Sequence, residues 1–210
     1  LYFKKSNLNQ SSITKKKYLR ANQCFRASLN MNYRDQSFSA DELKGEQFDN
    51  CTFSNCKFFK ANLKFSSFVK CEFNSCDFTG VILESTSFEK CIFPGSKLSN
   101  NDFVSTIFIE CNFGECVMDN TIFHTGKLKK CIFAKSSLVG SVFEKCDVSE
   151  FNFNGAKLSR ALFDTCKMKK TTLLEADLEG TSFLGSMIDQ TELDMQGFVQ
   201  YGQGQGFKLC

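Results

Sequence analysis

Every fifth residue from Phe48 to Leu193 is Phe, Leu, Met, Val or Ile, thirty positions in a row without an insertion or deletion. Seventeen of these are Phe and nine are Leu, in a chain whose apolar content is an ordinary 42%. Such a run is not chance, and an internal repeat of this kind decides the fold before secondary structure is considered. A period of five fits neither the 3.6 residues of a helical turn nor the two of a strand. It fits a chain that turns a corner every five residues. Two residues before each large position lies a small one: Cys51, Cys56, Ala61, Ser66, Cys71 and Cys76, continuing in kind to Thr191. Each side of the coil therefore sends one large and one small side chain inward, and four sides close a square turn of 20 residues.

The 20-residue period can be checked in the sequence itself. One column reads Phe53, Phe73, Phe93, Phe113, Phe133 and Phe153, then Leu173 and Leu193. A second runs Leu63 and Leu83, then Phe103, Phe123, Phe143, Phe163 and Phe183. A third starts Phe48, Phe68, Phe88 and Phe108, and continues Leu128, Val148, Met168 and Ile188. Like stacks on like, as expected where coils pair in register about 4.8 Å apart, giving a rod about 36 Å long.

The stretches Ala61-Asn62-Leu63, Ala156-Lys157-Leu158 and Ala176-Asp177-Leu178, beside many Cys-x-Phe variants, resemble the pentapeptide-repeat family. The resemblance covers residues 48–193 and extends back through Tyr33 and Phe38. It implies an all-β fold, a right-handed quadrilateral β-helix, with a short C-terminal helical cap expected. The expected organisation is a basic N-terminal tail or cap at 1–32, the repeat body at 33–193, and a C-terminal cap or dimerisation segment at 194–210.

A solenoid must cover its ends. Residues 1–32 carry Lys4, Lys5, Lys15, Lys16, Lys17, Arg20 and Arg26 and no acid, which reads as a terminal cap or as a basic arm. Near the C-terminus, Met195, Phe198, Val199, Phe207 and Leu209 are spaced as on a helix. That tail looks like the dimer-forming C-terminus of Qnr-type quinolone-resistance proteins, although Gly197, Gly202, Gly204 and Gly206 weaken a helix. Both a simple cap and a homodimer contact are open.

The chemistry-bearing residues read as structural. Ten of the twelve cysteines occupy the small inward position, where a free thiol packs as a small apolar group. There is no Cys-x-x-Cys and the single histidine is His124, so no zinc site, cofactor site or catalytic triad is expected. The Gly202–Gly206 stretch lacks the Lys-Ser/Thr of a phosphate-binding loop. Unpaired thiols in such number point to a reducing, cytoplasmic setting. No run is long and apolar enough to span a membrane. No enzyme is expected.

The surface is more informative. Residues 48–193 carry 16 Lys or Arg against 18 acids, so direct nucleic-acid binding by the repeat body is not expected. Sorted by column, the four sides carry net charges of −3, +1, −2 and +2. The triplets Lys127, Lys129, Lys130 and Lys167, Lys169, Lys170 lie on one side and read as solvated charge. On the side of Leu63, the outward residues Phe65, Ile82, Val104, Ile122, Val142, Leu162 and Leu184 form a candidate partner-binding face. The family resemblance implies a DNA-imitating protein that binds DNA gyrase or topoisomerase IV and protects it from quinolones. The residues themselves leave a second reading open, a protein-interaction scaffold working through the apolar face.

Overall fold

The computed structural model describes residues 27–124 and 127–208. The chain winds into a right-handed quadrilateral β-solenoid of about 8 turns, followed by one short helix, Met195–Gly204. Each side is named here by its first large inward residue in the regular run. On the Phe48 side, strands Ala27–Leu29, Gln47–Asp49, Ser67–Val69, Ser87–Glu89, Ile107–Ile109 and Leu128–Lys129 form one parallel sheet, and Lys167–Lys169 pairs with Met187–Asp189 further along. The Phe53 side has a sheet of Asn32–Arg34, Thr52–Ser54 and Glu72–Asn74, continued by single bridges to Glu192. The Phe58 side consists of bridges alone, from Ser37↔Lys57 to Lys157↔Asp177. The Leu63 side carries the sheet of Ile122–His124, Val142–Glu144 and Leu162–Asp164. Strand partners lie 20 residues apart, as in Phe48↔Phe68 and Phe123↔Phe143.

The corners explain the five-residue register. Two residues after each large inward position, the backbone takes a left-handed turn, with φ of 53° at Asn50 and Asn55 and 51° at Lys70. From Asn30 to Gln190, every described residue of this column has positive φ except Ser105. Asn and Gly recur there because both tolerate this region at little steric cost.

Inside, rings stack along the axis and meet edge-to-face across corners. Phe53 lies 4.9 Å from Phe73 at 11°, and Phe143 lies 4.8 Å from Phe163 at 3°. Across a corner, Phe53 meets Phe68 at 6.1 Å and 71°. Both arrangements suit the aromatic quadrupole, and the coil repeat sets the first of them. The small inward side chains supply donors to carbonyls of the previous coil. Thr86 Oγ1 donates to the Leu63 carbonyl at 2.7 Å, Ser96 Oγ to Phe73 at 2.7 Å, and the Cys116 thiol to Phe93 at 2.8 Å. Cys, Ser and Thr therefore interchange in this column because each is small and can donate.

The rod's last coil is closed by the helix. The Asp194 carboxylate accepts from the Gly197 N–H at 2.7 Å, capping the helix, and from the Glu175 N–H at 2.6 Å, tying the cap to the coil beneath. Gly197 is buried, and a Cβ there would sit 3.4 Å from both Leu178 and Leu193, so the missing side chain permits the close approach. Gln200 accepts from the Leu178 N–H at 2.9 Å, and Tyr201 packs on Phe183 at 5.2 Å. Among the described residues no helix is long and apolar enough to cross a membrane.

Candidate functional site

Exposed large apolar side chains occur on all four sides of the rod, Ile92, Ile107, Val117 and Ile132 among them, and two surfaces carry the candidate residues. The first is the Leu63 side. Ile82, Ile122, Val142 and Leu162 fall in one outward column, joined by the ladder pairs Ile122↔Val142 and Val142↔Leu162 and interrupted at Asp102. Phe65, Ile82, Val104, Ile122 and Leu184 are exposed, whereas Val142 and Leu162 are half-buried between their neighbours in the sheet. Phe65 is the most unusual of the set: a bulky aromatic, 56% exposed, on a left-handed corner with φ of 64°. The Lys64 ammonium sits 5.0 Å from its ring centroid while forming an ion pair with Glu84 at 2.7 Å. On the preceding corner Phe59 is likewise exposed, with the Lys60 ammonium 5.1 Å from its ring. Phe59 is not among the residues expected at a partner-binding face, although a large aromatic at an outward position is visible in the sequence.

The second surface is the outer face of the C-terminal helix. Gly197, Gln200 and Tyr201 face the rod, while Met195, 78% exposed, Phe198 and Phe207 face away from it. With Val199, Tyr201 and the turn at 202–208, they line an apolar depression of about 450 Å³. Leu209 lies outside the described residues.

The remaining candidates fall where packing places them. The ten inward cysteines are free and buried. Burial pushes the Cys116 and Cys131 thiols up to about 12. Among the described residues no group of three His, Cys, Asp or Glu is arranged to hold a metal ion. His124 faces outward and its Nδ1 lies 2.9 Å from Glu144 Oε2, a cross-coil contact with no nucleophile in it. Lys167, Lys169 and Lys170 lie one after another on the Phe48 side, where Lys169 pairs with Asp189 of the next coil at 3.3 Å.

The comparisons agree with this architecture. A family model described as a pentapeptide repeat region matches residues 66–143, and one described as pentapeptide repeats (8 copies) matches 47–84 and 149–185. Among solved structures, trypsin-treated QnrB1, described as a plasmid-mediated fluoroquinolone resistance protein, is similar with a TM-score of 0.66 and 18% identity. That alignment covers 87% of this chain and 99% of the trypsin-treated one. Full-length QnrB1 aligns with a TM-score of 0.51 and 17% identity, over 84% of this chain and 98% of that one. No curated protein matches the sequence. Repeat register, four-sided coil and matched family models lead to one conclusion: the chain belongs to the pentapeptide-repeat family.

Proposed function

We propose that the protein is a non-enzymatic binding rod that engages a protein partner through its Leu63 side and pairs with a second copy through the outer face of its C-terminal helix. The observation that carries this reading is that, among the described residues, the Leu63 side exposes more large apolar side chains than any other side of the rod. One side of the solenoid gathers five exposed large apolar residues of the predicted set, and the helix that caps the core turns a second apolar face outward. Soluble surfaces keep such patches where something covers them. The test is affinity capture from host extract with the parent chain and with an Ile122→Lys, Val142→Thr variant. Loss of the same bound protein in the variant is the expected result; unchanged capture removes this side from consideration.

A second reading, modulation of DNA gyrase or topoisomerase IV by imitation of DNA, is favoured by the fold likeness to QnrB1 along nearly its whole length. Its test is gyrase supercoiling with ciprofloxacin while this protein is titrated to micromolar concentration. Rescue or inhibition supports it, and a flat response rejects it.

A further inference from the structure

The solenoid's ladder is open at one place on the Leu63 side. On either side of it the rungs are regular: Leu63 N–H donates to the Ile82 carbonyl at 2.8 Å, and Phe103 N–H to the Ile122 carbonyl at 2.8 Å. Between residues 80–85 and the coil above them, 100–105, the corresponding rungs are absent among the described residues. Neither the Leu83 N–H nor the Asp102 N–H has a carbonyl partner, although Ile122 N–H, the next coil's equivalent of Asp102 N–H, donates to Asn101 at 3.1 Å. The flanking sides of the same two coils remain closed, with Phe78 N–H to Lys97 at 2.8 Å and Ile107 N–H to Thr86 at 2.9 Å. The opening is therefore local.

Asn101 sits at the opening. This small inward column elsewhere holds Ala61, Val81, Thr121, Ser141, Ala161 and Thr181. Asn101 keeps the donor role of the Thr and Ser in this column, its Nδ2 donating to the carbonyls of Phe78 at 2.9 Å and Leu98 at 2.8 Å. Its second polar atom does not fit the scheme. Oδ1 has no partner, although the residue is only 4% exposed. An unpaired buried acceptor is costly, and native proteins rarely leave one. Ser105, on the same corner, is the described residue that departs from the positive-φ column. A cleft of about 440 Å³ lies over this place, lined by Asn101 and Asp102 and flanked by Ile82 and Val104. One coil below, Phe65 stands beside it, its N–H bonded to the Glu84 carbonyl at 3.2 Å.

We propose that this corner binds an extended peptide segment of a partner protein, main chain against the open rungs and apolar side chains against Phe65, Ile82 and Val104. The open rungs offer both donors (Leu83 and Asp102 N–H) and acceptors (the Val81 and Asp102 carbonyls those N–H groups would otherwise meet). That mixture complements a peptide amide, whereas a cation needs acceptors alone and an anion donors alone. An extended chain presents amides on one edge and side chains to either side, the arrangement strand-type recognition uses. The proposal rests on the protein-binding reading above and narrows it to one corner.

The test is amide hydrogen exchange by NMR on the full chain, with a blocked pentapeptide of alternating valine and threonine and its N-methylated counterpart as probes. In the free protein, the Leu83 and Asp102 amides exchange roughly a hundredfold faster than those of Leu63 and Ile122, which are held in rungs. At millimolar concentration the plain peptide slows both roughly tenfold and shifts the Asn101 side-chain amide, while the N-methylated peptide does neither. Asn101→Thr, which places there the residue type of the next coil, Thr121, protects both amides without peptide and abolishes binding. Phe65→Ala leaves exchange in the free protein unchanged and weakens the peptide. Protected amides in the free parent protein overturn the proposal, as does equal action of both peptides or an open corner that takes only water. Val142 and Leu162 lie outside the corner. Partner capture that survives their substitution, with peptide binding intact, counts against the broad-face reading and not against this one.

Discussion

Phe151 stands in a column that otherwise takes Cys51, Cys71, Cys91, Cys111, Cys131 and Thr171, yet it is fully buried. Space for it comes from Val148, which fills a large inward position with a small side chain just before the corner. The ring lies 6.1 Å from Phe133 and 6.2 Å from Phe153, so it takes part in the aromatic core from the wrong register position. Restoring the column's usual residue alone, Phe151→Cys, should cost about 3 kcal/mol through the cavity it leaves. Adding Val148→Phe should recover most of that loss, since total volume is then kept. Urea denaturation of the two single variants and the double variant measures the coupling; additive losses would mean the two sites do not share space. The thiols give a second prediction at this scale. Cys116 and Cys131 are held neutral by burial, with folded values near 12 against about 8.5 for a free thiol. In the unfolded chain these groups release their protons above about pH 8.5, whereas in the fold they keep them. Their contribution is thus intact below that pH and lost as pH rises toward 12, by roughly 1.4 kcal/mol per pH unit for each thiol. Stability measured from pH 8 to 11 should fall, and Cys116→Ser with Cys131→Ala should make the fall shallower, the raised thiols of Cys76, Cys91 and Cys146 keeping their share. Serine is already the residue stacked above and below Cys116, at Ser96 and Ser136.

At the scale of elements, the C-terminal helix depends on one side chain for two junctions. Asp194 caps the helix through Gly197 and fastens it to the coil through Glu175, and these N–H donors hold its carboxyl below the usual carboxylate range. A depressed carboxylate stabilises above its unfolded value near 3.9 and loses that effect as pH falls through the folded value. Acidification below about pH 4 should therefore release the helix before the coils, and Asp194→Ala should do so at neutral pH. Faster amide exchange confined to 195–204 would report it; an unchanged helix would show that Gln200 and Tyr201 hold it unaided. The helix was legible in the sequence from the apolar spacing of Met195, Phe198 and Val199, and the coils from the unbroken register. Both are patterns of burial, which is what residue type encodes most directly. The open corner was not legible, because Asn101 is a small donor like the Thr and Ser of its column. Only the orphaned Oδ1 and the missing rungs distinguish it, and these are properties of the pairing between coils. Phe59 escaped for a different reason: an outward position predicts exposure for any residue, so its aromatic character carried no weight until Lys60 and the neighbouring Phe65 were placed beside it.

For the whole molecule, the two readings of function make different demands on charge. An imitation of duplex DNA has to present negative charge along its length, because a DNA-binding groove takes much of its affinity from electrostatics and loses it in salt. The sides of this rod are nearly balanced, the most acidic at −3 over residues 48–193, and among the described residues three pairs of its charges are tied across coils, Lys64–Glu84, Lys90–Glu110 and Lys169–Asp189. The Leu63 side instead offers apolar area whose burial is hardly screened by ions. Partner affinity measured at 50 and 200 mM salt separates the cases. Contact through an acidic side using three net charges should weaken roughly 40-fold over that range, by the slope that governs phosphate neutralisation. Contact through Ile82, Ile122 and their neighbours should change by less than about threefold. The second outcome is the one expected here, and with it loss of binding on Ile122→Lys at either salt concentration. A steep salt dependence that Ile122→Lys leaves intact would move the contact to the acidic Phe53 side, where Glu72, Glu115, Glu175 and Glu192 lie.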